Sequence, residues 1–333
     1  MLSSETIGQM QLDNFVDAIP RIYRDKDAKR SIWDVWMHAN HHASAIGEEV
    51  RKGTSGRELL TEIADFAMWL FTAVNKFRGE IGVANGSESE QESLIRIAHG
   101  YSDLLWNKYP DMCPVCYWQR VKGDRGREND HGFREPCDCL LHDVETRNQD
   151  QKHQHTKALR AFSRDQRQNK PLGIDQWQDM FARIFAANLR HLTLTNIAFH
   201  LLEEMGEVSD AMVRMYTYSE ENFVLGEPSW RQVWLEDELA DVSSWLFALV
   251  EKLDTVRQTA NEYDRWRFGK VLQDNRITLS QIIWKRYGSD DLKDFICPHL
   301  PAQQHNCTCP LILVPADRSV QDIRDRVTDV LGS

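Results

Sequence analysis

The chain has 333 residues with 40 basic and 51 acidic side chains, a formal charge of −11 at pH 7. That balance excludes a global basic surface for wrapping nucleic acid, so an anionic ligand needs a local basic patch or a bridging metal ion. Hydrophobic residues at 41% with 11 Trp supply a sizeable core, whereas only 17 Gly and 10 Pro disfavour an all-β sandwich with many tight turns. The longest charge-free apolar runs, 66–74 and 242–250, are nine residues each, and a membrane span needs about 20. The first thirty residues lack an apolar h-region, so the expectation is a soluble, cytoplasmic protein with no membrane partner.

In chain order, apolar residues recur at spacings of three and four over 32–52 and 56–78, and again over 188–216 and 235–262, which predicts helices. No convincing strand pair lies outside the cysteine-rich segments, and the predicted fold class is all-α. Residues 117–173 are polar and charged, with 146–156 wholly polar, which predicts a linker or mobile loop. Residues 215–230 form an insertion that is either a lid or a plain surface excursion.

The chain also repeats itself. Glu62-Ile-Ala-Asp-Phe-Ala-Met-Trp-Leu-Phe aligns without gaps on Glu238-Leu-Ala-Asp-Val-Ser-Ser-Trp-Leu-Phe. Upstream, Gly47-Glu48 pairs roughly with Gly206-Glu207; downstream, Leu104-Leu-Trp-Asn-Lys-Tyr109 pairs with Ile282-Ile-Trp-Lys-Arg-Tyr287. Each copy ends in cysteines. The predicted organisation is a first copy over 1–145, a polar linker over 146–173 and a second copy over 174–333.

In the second copy Glu204 and Glu207 are three residues apart, as are Glu238 and Asp241, so each pair shares a helix face. Those faces continue apolar stripes through Leu201, Val208 and Met212, and through Trp245 and Ala248, so the carboxylates point into a helix bundle. Buried together they are costly unless neutralised, and Mg²⁺ or Mn²⁺ is the hard cation that oxygen donors suit. The alternatives are a solvated acidic face and a charge-paired core network with Lys252 or Arg214 as partner.

Glu203-Glu204-Met-Gly-Glu207 followed by Glu238-Leu-Ala-Asp241 resembles the MazG-like all-α nucleoside triphosphate pyrophosphohydrolases, the superfamily of dimeric dUTPases and phosphoribosyl-ATP pyrophosphohydrolases. The resemblance covers about 190–290, and about 30–110 in the first copy. It implies that Glu204, Glu207, Glu238 and Asp241 bind Mg²⁺, that a nucleoside triphosphate is the substrate, and that water attacks the α-phosphorus to leave a monophosphate and pyrophosphate. Glu203 or Glu204 is the candidate general base, and Lys252 either contacts phosphate or is an ordinary helix lysine. The first copy departs from the pattern, with Ser44 and Ala45 set against Glu203 and Glu204, and is read as degenerate. Family members often build the site from two chains; here the tandem copies would form an intramolecular pseudo-dimer, or the chain a homodimer.

Cys113-Pro-Val-Cys116 with Cys137-Asp-Cys139 has the count and spacing of a four-thiolate zinc site. Cys297-Pro-His299 with Cys307-Thr-Cys309 supplies three thiolates, completed by His299 or His305, with His299 favoured by its proximity to the lost cysteine. Both are expected to be structural zinc knuckles. The rival reading is a catalytically inactive nucleotide sensor or protein-interaction scaffold; nucleic-acid binding through the knuckles is opposed by the net charge.

Overall fold

The computed structural model describes residues 4–27, 30–53, 56–79, 95–121, 149–217, 230–259 and 276–287. These form twelve α-helices and one short 3-10 turn, with no β-strand among the described residues. The first six helices are α1 (Ser4–Gln9), α2 (Leu12–Asp27), α3 (Ile32–Lys52), α4 (Gly56–Arg78), α5 (Tyr101–Lys108) and α6 (Pro114–Val121). They are followed by α7 (Gln149–Asp165), α8 (Ile174–Ile184), α9 (Ala186–His191), α10 (Leu194–Thr217), α11 (Trp230–Thr259) and α12 (Leu279–Tyr287). The all-α expectation holds. No described helix is long and apolar enough to cross a membrane.

Two helices, α4 and α11, are buried on nearly every side over 63–77 and 235–250, the mark of a helix at the centre of a bundle rather than on its rim. Around them the packing follows matching patterns. Helix α3 lies on α4 and α10 on α11; α2 touches α4 and α5, and α8 touches α11 and α12. The short helices cross over, α5 packing on α11 and α12 on α4. Helices α3 and α10 run antiparallel against each other, with Trp33 edge-on to Tyr216 and the Trp36 Nε1 donating to Ser209 Oγ at 2.8 Å. At Gly47 a Cβ would stand 3.3 Å from Leu202 Cδ1, so the small residue sets how closely these helices approach. One continuous hydrophobic core runs through residues of both halves of the chain.

Local signals explain the helix ends. Ser31 Oγ accepts from the Asp34 N–H at 3.0 Å and Asp34 Oδ2 accepts from the Ser31 N–H at 3.1 Å, a reciprocal cap that starts α3. Gly53 ends it in the left-handed conformation at φ 64°. We expect Ser31→Ala to cost about 1 kcal/mol in denaturant melts; an unchanged midpoint would show that α3 is held by packing alone. Thr193 and Asn196 cap α10 in the same way (Thr193 N–H to Asn196 Oδ1 3.0 Å, Asn196 N–H to Thr193 Oγ1 3.1 Å), so the helix predicted from 188 is divided into α9 and α10.

The predicted linker contains a helix. Residues 149–165 form α7, because long polar side chains are themselves good helix formers. Its Ala158, Leu159 and Phe162 provide an apolar edge that packs with Met112 and Tyr117. The Trp106 Nε1 of α5 donates to the Ser163 carbonyl at 2.7 Å. Most of the insertion at 215–230 lies outside the described residues.

Candidate functional site: a half-buried carboxylate cluster between α10 and α11

Glu204 projects from the middle of α10, beside the buried Leu201, Met205 and Val208. Glu238 and Asp241 project from the buried stretch of α11 that faces it. Oxygens of the three side chains all lie within 4.8 Å of one another, the only such group of three metal-ligating side chains among the described residues. Two indoles orient the glutamates: Trp234 Nε1 donates to Glu238 Oε1 at 2.5 Å, and Trp245 Nε1 to Glu204 Oε1 at 3.3 Å. His200 stacks on Trp245 with centroids 4.5 Å apart.

The counter-charge comes from the other half of the chain. The Lys108 ammonium, at the end of α5, pairs with Asp241 Oδ2 and donates to the Asp237 carbonyl at 3.0 Å. The neighbouring Tyr109 hydroxyl donates to Asp241 Oδ1 at 2.5 Å. Burial works to lower the Lys108 ammonium's pKa, but Asp241, Glu238 and Asp237 outweigh it and hold the group charged well above the ordinary lysine value.

One ammonium does not balance three carboxylates. Burial, and then the charge of Asp241, push the Glu204 carboxyl up to about 8, with Lys108 opposing and Glu238 and Glu207 adding to the rise. Burial likewise pushes Glu238 up to about 7, opposed by Lys108 and reinforced by Asp241 and Glu207. Both groups hold a proton more tightly folded than at the unfolded value of 4.5. Their contribution to stability is therefore full below about 4.5 and is lost as pH rises through about 7 and then about 8. In metal-free protein the melting midpoint should fall across this window, and the fall should vanish in a Glu204→Gln, Glu238→Gln double variant. Calorimetry at successive pH values checks this; an identical fall in the double variant would assign it elsewhere.

The neighbouring acids are tied into structure. Glu236, 1% exposed, accepts the backbone N–H groups of Ala98 and His99 at 2.8 and 3.1 Å and the Arg160 guanidinium at 3.0 Å. Burial alone would raise its pKa; His99 and Arg160 reverse this and hold it below the usual range. Glu236 thereby anchors the segment that delivers α5, and with it Lys108. Arg160 also bonds Asp237 at 3.2 Å.

Of the sequence-predicted residues, Glu204, Glu238 and Asp241 come together. Glu207 is exposed one turn along α10, near enough for its charge to act on both glutamates. Glu203 is exposed and paired with His200 at 3.1 Å, away from the cluster. Lys252 stands eleven residues beyond Asp241 on α11, roughly 16 Å along the axis, where its ammonium caps α9 through the Leu189 carbonyl at 2.6 Å. The charge-paired alternative named Lys252 or Arg214; Arg214 instead bonds Asp210 at 2.9 Å and lies over the Trp234 ring.

The other half carries a closed counterpart. Asp65, fully buried on α4, accepts from Arg286 Nε at 2.9 Å and Nη2 at 2.7 Å, and also from the Tyr287 hydroxyl. His42 Nδ1 lies 2.8 Å from Glu62 Oε2, and His38 stacks on Trp69 at 4.3 Å, as His200 does on Trp245. In space, therefore, His42 faces Glu62 as Glu204 faces Glu238. The stacked histidines are 162 positions apart, whereas Gly47 and Gly206 are 159 apart.

Of the cysteines, Cys113 and Cys116 are described, together at the start of α6. The hydrogen-bonded Cys116 side chain, and then burial, push the Cys113 thiol well up. Cys137, Cys139, Cys297, His299, Cys307 and Cys309 lie outside the described residues.

No family model, no curated protein and no solved structure matches the chain.

Proposed function

We propose that the protein is a Mg²⁺- or Mn²⁺-dependent nucleotide pyrophosphohydrolase, cleaving a nucleoside triphosphate to a monophosphate and pyrophosphate. The observation that carries this reading is the convergence of Glu204, Glu238 and Asp241 in a half-buried site where the carboxylates outnumber the cations. Oxygens on one Mg²⁺ at about 2.0–2.1 Å lie about 2.9 Å apart in cis and about 4.1 Å in trans. A spread within 4.8 Å thus closes around the ion with side-chain shifts of about 1 Å, and Glu207 is one helical turn away as a further donor.

A cation held there would neutralise triphosphate charge and lower the pKa of a bound water for attack at the α-phosphorus. Glu204 is the base we favour over Glu203, whose carboxylate is turned to His200. Trp234 and Trp245 hold the two glutamates in fixed rotamers, and Glu236 with Arg160 fixes the approach of α5.

The reading includes two diverged helical copies forming an intramolecular pseudo-dimer. It is supported by equivalent contacts at constant sequence offsets. Asp13 bonds Ser102 as Asp175 bonds Ser280, and His38 and His200 stack on matching tryptophans. Asp13 and Asp175, like His38 and His200, are 162 positions apart. Because the copies exchange α5 and α12, the acidic site is completed within one chain, and a homodimer is not needed to build it.

We also assign Cys113, Cys116, Cys137 and Cys139 to one zinc clip, and Cys297, His299, Cys307 and Cys309 to a second. Support for the first is the hydrogen bond that brings the Cys113 and Cys116 side chains together at one helix start. Elemental analysis of the full chain should give about two zinc ions; a metal-free, stable protein would remove this assignment.

A second reading, an inactive nucleotide sensor or scaffold, is favoured by Lys108 already neutralising Asp241. The test is a panel of ribo- and deoxyribonucleoside triphosphates with Mg²⁺, assayed for pyrophosphate beside a Glu238→Ala control. Release lost in the control supports the enzyme; no Mg²⁺-dependent release from any nucleotide supports the scaffold.

A further inference from the structure

Asp65 and Asp241 occupy corresponding places on α4 and α11, and each receives a cation and a tyrosine hydroxyl from the short helix of the other half. The cations differ in kind. Arg286, 7% exposed, presents two parallel N–H groups to both oxygens of Asp65, a bidentate fork on a fully buried carboxylate. Lys108 offers a single ammonium to one oxygen of Asp241, on a flexible four-carbon stem, and shares it with the Asp237 carbonyl. The carboxylates around Asp65 are also fewer, since His42 stands against Glu62. One half is thus closed by a bidentate arginine, whereas the other holds a single lysine ammonium.

We infer that Lys108 is a displaceable stand-in cation: it holds the carboxylate cluster together in the metal-free protein, yields Asp241 to a divalent ion, and then presents its ammonium to the phosphates of the ligand. The inference rests on the proposed metal site and adds a residue from the first half of the chain to it. The physical basis is charge accounting. In the metal-free cluster Lys108 supplies the positive charge that faces Asp241, with Glu204 and Glu238 beside it. A doubly charged ion supplies more of it and competes for the same Asp241 oxygens. The released ammonium stays tethered at the end of α5, beside whatever anion the ion attracts. No bond is made or broken; one ion pair is exchanged for another.

The test uses the full chain and two probes, Mn²⁺ alone and inorganic pyrophosphate at saturating Mn²⁺, both followed by calorimetry with Mn²⁺ electron paramagnetic resonance as the second readout. Lys108→Met removes the charge and keeps most of the stem. It should bind Mn²⁺ about tenfold or more tightly than wild type, because the competitor is gone, and pyrophosphate about tenfold or more weakly. A lysine with only a structural role would loosen the site, weakening both. Lys108→Arg keeps the charge and introduces the fork seen at Arg286; it should weaken Mn²⁺ binding, and it serves if the Met variant does not fold. Unchanged or weaker Mn²⁺ affinity in a folded Met variant overturns the proposal, as does wild-type Mn²⁺ affinity in the Arg variant. Wild-type protein that binds no Mn²⁺ overturns the metal site itself, and the proposal with it.

Discussion

Replacing Glu238 by glutamine is expected to lower Mg²⁺-dependent pyrophosphate release by roughly a thousandfold or more, while leaving the metal-free protein at least as stable. The two effects separate because glutamine keeps the acceptor oxygen that Trp234 Nε1 uses at 2.5 Å but removes a charge that burial and its neighbours already disfavour. Loss of a carboxylate ligand weakens transition-state charge stabilisation worth several kcal/mol, and each 1.36 kcal/mol is about a factor of ten in rate. Relief of repulsion with Asp241 and Glu207 acts in the opposite direction on folding. Steady-state assays paired with calorimetry without metal would show both. Activity within tenfold of wild type would mean that Glu238 is not a ligand in the reacting complex.

Arg286→Ala should be the most damaging of the single changes to stability, costing on the order of 3–5 kcal/mol in denaturant unfolding. Its partner Asp65 is fully buried and, among the described residues, would keep only the Tyr287 hydroxyl. The loss is that of an uncompensated buried carboxylate, and not the modest value of an exposed pair. Because α12 crosses to α4 of the other half, the variant would loosen the docking of the two halves. A loss under about 1 kcal/mol would show that water or a rearranged cation reaches Asp65. Adding Asp65→Asn should recover much of the deficit, since the charge needing a partner is then gone.

Much of the helical framework is visible in the sequence. Spacings of three and four bracket α3 and α4 at the residues where the structure has them. Of the acidic pairs, Glu204, Glu238 and Asp241 turn inward with the buried apolar stripes they continue, whereas Glu207 is exposed. The parts that periodicity does not reveal have identifiable causes. Helical spacing gives the face of a residue but not its axial reach, so Lys252 shares a stripe with Asp241 yet stands roughly 16 Å further along. Composition alone cannot tell a polar linker from a polar helix with one apolar edge, which is how α7 and its Arg160 are hidden. Glu203 and Glu204 are neighbours in sequence, and one residue of helical rotation sends the first out to His200 and the second inward.

Lys108 had a signal. The repeated Leu-Leu-Trp-Asn-Lys-Tyr and Ile-Ile-Trp-Lys-Arg-Tyr segments both end in a cation followed by tyrosine, and that dipeptide is what reaches each aspartate. What the sequence does not disclose is the exchange of α5 and α12 between halves, because it depends on tertiary packing and leaves no local pattern. The register of α3 against α10 was hidden similarly. The Gly47-Glu48 likeness to Gly206-Glu207 is local, whereas the stacked His38–Trp69 and His200–Trp245 pairs are contacts that only the folded chain displays.

The most direct measurement of the proposed chemistry is hydrolysis of a nucleoside triphosphate in ¹⁸O-labelled water with Mg²⁺, followed by mass spectrometry of both products. Attack at the α-phosphorus predicts one labelled oxygen in the nucleoside monophosphate, none in the pyrophosphate, and no turnover when Mg²⁺ is chelated. Label in pyrophosphate or in released orthophosphate, or turnover that survives chelation, would contradict it.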